Sequence, residues 1–546
     1  MTTPSPTVAP AKRRRGVLDL IEFIGNKLPD PAIIFMIGAA LVIALSAFGA
    51  AQGWSVEELR PVVRVDDAGQ RSMILEKTGT ILRPVSLMSA DGVYWMISTM
   101  VSNFINFPPL GIVLVGMLGI GVAERTGMIE ASLKAMMLVT PLKLLTPMMV
   151  FLGVLSSLGS DAGYIILPPL AAALYKSVGR SPLAGIAAVF AGVSGGFSAN
   201  FFPSGGDVVM AGLTNVGAHI IDPGYNVVAT ANIFFMSASV FLLTFVGWAV
   251  TAWFVEPRLA NRTPEEGGPS PAQKVDLSAE GLSGAEKRGL LLAFLAIVVT
   301  LGIGAACIFA PGWPLYGKVP GGALARWPQG VVPLVFFAFL APGVAYGVAT
   351  GTVKKGANVI HLMVESMKAM GPIIVLAFFA AQFIGYFNHS NIGRMMAMAG
   401  GEALASAEMP QELLILVFVA LSAFFNLFIG SMSAKYAILA PIFVPMFMLV
   451  GISPEMTQMS YRIGDSVTNI ITPLNSYMVI ILVVMQRFAP KGGMGTMIAM
   501  MLPYTVCFLL AWSAMIIIWL EFGWDLGIGG PLQYVPSEAI SAPAAP

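Results

Sequence analysis

Apolar runs of about 20 residues recur along the chain, each long enough to carry a helix across a hydrocarbon core of ~30 Å. They lie at 31–51, 183–213, 228–255, 288–310, 329–352, 456–487 and 495–522. Two shorter runs, 108–124 and 372–388, each follow an amphipathic stretch, 89–105 and 356–370. That pairing predicts an arm lying along the membrane followed by a span. Two further segments, 144–176 and 411–450, each hold two apolar runs around a small polar centre. The first centre is Ser156-Ser157-Leu158-Gly159-Ser160-Asp161-Ala162-Gly163, the second Gly430-Ser431-Met432-Ser433-Ala434-Lys435. Each half is too short to cross. A hairpin that enters and leaves on one side resolves the length, with its tip in protein or in a wet cavity.

The pattern therefore predicts an all-α polytopic membrane protein of nine transmembrane helices and two re-entrant hairpins. The expected organisation is a cytoplasmic N-terminus (1–30), a first span with an external segment (31–88), and a first repeat (89–213) holding the hairpin 144–176. Scaffold spans follow (228–355) with a cytoplasmic loop at 256–287. A second repeat (356–487) holds the hairpin 411–450, and a last span with an external tail (495–546) ends the chain.

Composition agrees. Of 546 residues 56% are hydrophobic and 11% charged, against roughly 25% charged in soluble domains, and mean hydropathy is +0.80. A net charge of +1 offers no basic face for nucleic acid. The two cysteines, Cys307 and Cys507, sit in apolar runs, too few for a disulfide framework and without metal-ligand spacing. The basic stretch Lys12 to Arg15 precedes a run without a small-residue cleavage site, so 31–51 is expected to be a retained span.

Charge also orients the chain. Arg125, Lys134 and Lys143 precede the first hairpin, and Lys176 and Arg180 follow it. Arg258, Arg262, Lys287 and Arg288 flank a polar loop; Lys354, Lys355, Arg487 and Lys491 end other spans. With the N-terminus inside, all of these fall on the cytoplasmic side, as positive charge prefers. The second hairpin and the C-terminus then face outward.

The halves are related. With Tyr164 over Tyr436, five of nine positions match between Asp161–Pro169 and Ser433–Pro441. Asn200 falls over Asn469 in the same order of elements: arm, short span, hairpin, broken span. Inverted repeats of this kind place their sites at the midplane, where discontinuous helices meet.

Candidate chemistry lies at those breaks. Asp161, at the first tip, would carry a proton at membrane depth or cap a half-helix. Arg462 and Asp465, three apart on one helix, would clamp a substrate carboxylate and neutralise the clamp, or form an intrahelical ion pair. Asn200 and Asn469 mark breaks followed by Pro203 and Pro473, each proline suited to restart a helix and open an anion site at its N-terminus, or simply to kink it. Lys435 would touch substrate or neutralise Asp161. His389, beside Arg394, reads as an interfacial loop residue.

Three motifs resemble the AbgT family of p-aminobenzoyl-glutamate transporters: Gly159-Ser160-Asp161-Ala162-Gly163-Tyr164, the run Lys435 to Met446, and Tyr461-Arg462-Ile463-Gly464-Asp465-Ser466-Val467-Thr468-Asn469-Ile470-Ile471-Thr472-Pro473. The resemblance runs from Val17 to Gly530. It implies a bowl-shaped homodimer in the bacterial inner membrane, taking up a folate catabolite or exporting sulfonamide antimetabolites against a proton flow. No cofactor or metal is implied, and no catalytic residue. The transport residues it implies are Asp161, Ser433, Tyr436, Pro454, Arg462, Asp465 and Pro473. Tyr436 departs from the family pattern, which has tryptophan there. A Na⁺-coupled dicarboxylate carrier is the competing expectation. A membrane enzyme is disfavoured: the chain has no His-Glu-x-x-His and no paired membrane aspartates.

Overall fold

The computed structural model describes residues 31–65, 71–159, 162–272, 281–316, 327–475 and 477–537. The first span, α1 (Pro31–Ala51), has 21 residues, about 30 Å at 1.5 Å per residue. It turns Ile33, Met36, Ile37, Leu41 and Phe48 outward, as a lipid-facing helix does. The segment 52–88, expected only as an external connection, folds into an antiparallel hairpin of β1 (Val56–Val65) and β2 (Arg71–Leu82). Leu59 and Leu82 pack on Met395, Met398 and Leu449, and Glu58 pairs with Arg394 at 2.7 Å.

Next comes α2 (Ala90–Ile105), an arm capped by the Ser89 hydroxyl, which accepts from the Gly92 N–H. A turn at Asn106 leads into α3 (Pro108–Arg125). Then α4 (Met128–Leu138) precedes the two halves of the first hairpin, α5 (Leu145–Leu155) and α6 (Ala162–Ser177). The chain bends by 112° between α4 and the segment that carries α5. α7 (Pro182–Phe190) runs on through a π turn, Ala191–Gly195, then stops; α8 (Gly205–Ala218) resumes after the break. Three scaffold helices follow: α9 (Ile233–Val250), α10 (Gly284–Phe309) and α11 (Trp327–Thr350).

The second half repeats the order of the first: arm α12 (Gly356–Ala369), span α13 (Gly371–His389), connecting helix α14 (Ile392–Ser406), hairpin halves α15 (Gln411–Asn426) and α16 (Met432–Leu449), and a broken span, α17 (Pro454–Thr468) and α18 (Tyr477–Gln486). The last helix is α19 (Met494–Glu521). The connecting helices α4 and α14 were not anticipated; each is amphipathic, so neither stands out as an apolar run. His389 closes α13 and stacks on Trp95 with ring centroids 3.8 Å apart, so it is a packed helix end rather than a loop residue.

Glycine lets each hairpin press against its broken span. A Cβ on Gly192 would stand 2.3 Å from the Val150 carbonyl of α5, and one on Gly464 2.2 Å from the Val419 carbonyl of α15. Backbones approach this closely only where no side chain intervenes. The broken spans are thereby seated against the hairpins, and their breaks face one another across the interior.

Candidate functional site

Ser453 caps α17 by accepting the Met456 N–H, and Pro454 takes the first position, where a missing N–H is harmless. Every residue from Pro454 to Thr468 is buried, yet Glu455, Gln458, Tyr461, Arg462, Asp465 and Thr468 all lie on this helix. A buried charge survives only if it is paired and hydrogen-bonded, so the partners define the site.

Arg462 Nη1 pairs with Asp207 Oδ1 at 2.6 Å, and Nη2 reaches the Ser198 carbonyl at 3.4 Å. The other oxygen of Asp207 accepts the Ser204 N–H at 2.6 Å and the Ser204 hydroxyl at 2.7 Å. One carboxylate thus caps α8 and neutralises a guanidinium from the opposite half. Asp465 Oδ1 pairs with Lys435 Nζ at 2.6 Å. Lys435 also donates to Asn426 Oδ1 and to the Ile429 carbonyl at 3.2 Å. Asn426 in turn donates to the Asp465 carbonyl at 2.5 Å and lies 2.9 Å from both Thr468 Oγ1 and Asn469 Oδ1.

These partners correct two expectations. Arg462 and Asp465 do not pair with each other; each faces a charge on a neighbouring helix, so both ends of α17's polar face are compensated separately. Lys435 is fully taken up by Asp465 and Asn426 and lies 1% exposed, so it offers no free ammonium to a substrate. The prolines are corrected too. Pro203 precedes Ser204, the N-cap, and Pro473 lies ahead of α18, so neither sits in the first turn of a restarted helix. The Ser204–Asp207 cap restarts α8 instead.

Tyr436 is wholly buried. Its ring lies over Tyr461, centroids 4.5 Å apart, and its hydroxyl is 2.9 Å from Thr214 Oγ1. The Thr214 hydroxyl donates to the Met210 carbonyl at 2.7 Å, so Tyr436 is the donor between them. Gln458 also donates to Thr214, at 2.7 Å, and accepts from Asn232 at 2.7 Å. The hydroxyl that distinguishes this chain from the tryptophan pattern therefore has a dedicated acceptor.

Arg462 and Ser433 open onto one cavity of about 290 Å³, whose walls include Ser157, Ser204, Gly205, Gly206 and Met432. Material near both hairpin tips, the restart of α8 and the guanidinium of α17 meet there. At the start of α8 the Asp207 carboxylate caps the helix and pairs with Arg462, so an incoming anion would compete with Asp207 for the guanidinium and for the first N–H groups of the helix. A narrower apolar cleft adjoins it through Val113, Val209, Ile373 and Ser433, lined by Phe107, Leu110, Leu213, Leu376 and Ala380. The combined space has one polar end, where Arg462 is paired with Asp207, and one apolar end.

Of the other expected residues, Pro454 begins α17 at its far end and Pro473 lies in the break. Asn469 receives Asn426. Asn200, 1% exposed, lies in the α7/α8 break, and neither amide atom has a hydrogen-bond partner among the described residues. Asp161 lies outside the described residues. No metal-binding cluster of His, Cys, Asp or Glu occurs among the described residues. Asp207, Asn426 and Thr214 join the site without having been expected from the sequence. Ser204-Gly205-Gly206-Asp207 fits a helix-capping box and marked α8's start; nothing local marked Arg462 as its partner.

The model of the AbgT transporter family matches residues 16–534. The chain is 33% identical over 520 residues to the p-aminobenzoyl-glutamate transport protein of Escherichia coli (strain K12), spanning 93% of this chain and 95% of that one. Similar solved structures include two transporters. The YdaH transporter of Alcanivorax borkumensis shares 39% identity with a TM-score of 0.81, covering 92% of this chain and 100% of its own. MtrF of Neisseria gonorrhoeae, which illuminates a class of antimetabolite efflux pumps, shares 39% with a TM-score of 0.84, covering 95% and 99%. With a fold built on paired hairpins and broken spans around a cavity that Arg462 lines, and matches that run over nearly its whole length, the chain belongs to the AbgT family of membrane transporters.

Proposed function

We propose that this transporter moves aryl-amide carboxylates of the p-aminobenzoyl-glutamate type, or exports sulfonamide antimetabolites, and that a proton gradient drives it. The observation that carries the reading is Arg462. Its guanidinium faces the cavity with the N-terminus of α8 beside it, while the adjoining cleft is lined by Phe107, Leu110 and Leu213. An anionic head bound by a planar fork and an aryl body in an apolar slot match those two ends. The chain works in the bacterial inner membrane as a homodimer, N-terminus inside and C-terminus outside.

The test is binding of labelled p-aminobenzoyl-glutamate to the purified protein. Arg462→Lys keeps the charge and loses the fork, so affinity falls by about 1.5–3 kcal/mol, more than tenfold. Parent affinity in that variant would sink the clamp. A Na⁺-coupled carrier is the second reading, favoured by Asn200, whose buried amide oxygen has no donor among the described residues. Replacing Na⁺ with choline in a flux assay separates the two, since a proton-driven carrier is indifferent to it.

A further inference from the structure

The buried carboxyls among the described residues are Asp207, Asp222, Glu455 and Asp465. Asp207 is matched by Arg462 and Asp465 by Lys435. Asp222, in the loop after α8, accepts from Ser537, Tyr534 and Gly224. Glu455 differs. It is 1% exposed, forms no ion pair among the described residues, and receives the Tyr225 hydroxyl at 2.9 Å. An ionisable group kept in the interior of a membrane protein without a counter-charge has a use that outweighs its cost.

Its surroundings suit a group that changes charge. Glu455 lies in the first turn of α17, where the helix dipole favours a negative charge and Tyr225 donates to it. No cation among the described residues pairs with it, so the carboxyl can change charge without breaking an ion pair. The titratable groups around it are few. Tyr436 of α16 lies inward. Tyr225 comes from the loop 219–232, its ring 5.6 Å from Tyr534 of the C-terminal tail, which donates to Asp222. His219 Nε2 stands 2.8 Å from the Tyr225 carbonyl and lines a polar cavity with Asn103, Asn106 and Asn388. Two residues, His219 and Tyr225, link that cavity to the carboxyl. Inward, Glu455, Gln458, Arg462 and Asp465 follow one face of α17, at the spacing that aligns side chains on a helix.

We propose that Glu455 is the carboxyl that takes up and releases the coupled proton. The inference rests on the proton-driven reading given above. The step is simple acid–base exchange: the carboxylate accepts a proton from hydronium, which leaves as water, and returns it on the other stroke. A change of charge in the first turn of α17 acts on the helix that carries Arg462, so proton binding and substrate binding share one rigid element.

The experiment uses the full chain in proteoliposomes, with labelled p-aminobenzoyl-glutamate as probe. Glu455→Gln keeps the shape and an acceptor for Tyr225 but cannot titrate. It is expected to lose at least tenfold of the accumulation driven by an imposed pH gradient while retaining substrate counterflow, which needs no net proton movement. Parent accumulation in Glu455→Gln would overturn the inference and leave the proton-driven reading standing. Loss of counterflow as well would make Glu455 structural and overturn it equally. A parent protein that ignores the pH gradient and follows Na⁺ would instead end the proton reading, and this inference with it. Tyr225→Phe covers the case in which Glu455→Gln fails to fold. It removes the donor to the charged form, so the pH profile of driven transport moves to higher pH; an unmoved profile overturns the assignment.

Discussion

The pairing of Arg462 with Asp207 makes a quantitative claim. Both side chains are buried, 3% and 1% exposed, and 2.6 Å apart. Asp207→Ala would strand a buried guanidinium, a loss of about 3–5 kcal/mol, and would remove the carboxylate that caps α8 through Ser204, about 1 kcal/mol more. Arg462→Ala strands the carboxylate but leaves the cap, so it costs slightly less. In Asp207→Ala with Arg462→Ala no charge is orphaned, and the residual loss is the cap and some packing. The double variant is therefore more stable than the sum of the singles by about 3 kcal/mol, more than a hundredfold in the unfolding equilibrium. The same cycle on Lys435 and Asp465, 2.6 Å apart and 1% exposed each, has the same sign. A cycle on Arg462 and Asp465 is close to additive, because each charge retains a different partner. Equilibrium unfolding in mixed detergent micelles measures all three. Strong coupling between Arg462 and Asp465, or additivity between Arg462 and Asp207, would refute the assignment of partners.

Three further outcomes follow from the structure. Gly192→Ala places a methyl 2.3 Å from the Val150 carbonyl and should lower the detergent melting temperature through an overpacking cost of about 1–3 kcal/mol; parent melting would show that the contact relaxes freely. Burial pushes the Asp222 carboxyl up, but hydrogen bonds from Ser537, Tyr534 and Gly224 outweigh it and hold it below the ordinary carboxylate range. A carboxyl depressed in the folded state stabilises it above the unfolded value and ceases to do so as pH falls through the folded one. The tail contact should therefore persist at neutral pH and weaken only below about pH 4, read by proteolysis of the tail after brief acid exposure, with release at pH 6 counting against it. Lys143→Cys and Lys176→Cys flank the first hairpin and should react with an impermeant thiol reagent from the same side; opposite-side labelling would rule out a re-entrant hairpin.

Much of this architecture is legible in one dimension. Bilayer thickness sets the length of a span, and a half-length run around Gly430 to Lys435 has few other solutions, so spans and hairpins follow from counting apolar residues. Buried polar residues in an apolar chain are conspicuous for the same reason, which is why Arg462, Asp465 and Asn200 stood out. The β hairpin, β1 with β2, did not, because its strands are mixed in charge and pack on Met395 and Met398, far away in sequence.

What tertiary structure alone decided is which charge meets which. Arg462 and Asp465 are near neighbours in sequence, and a helix does bring such residues together, but the interior has to neutralise every charge on α17 at once. Asp207, 255 positions away in sequence, and Lys435, from the adjoining hairpin, lie closer to where those side chains point. Helical periodicity is a local property and can be read from spacing; charge compensation in a low-dielectric interior is a property of the packed whole, and only the folded chain settles it.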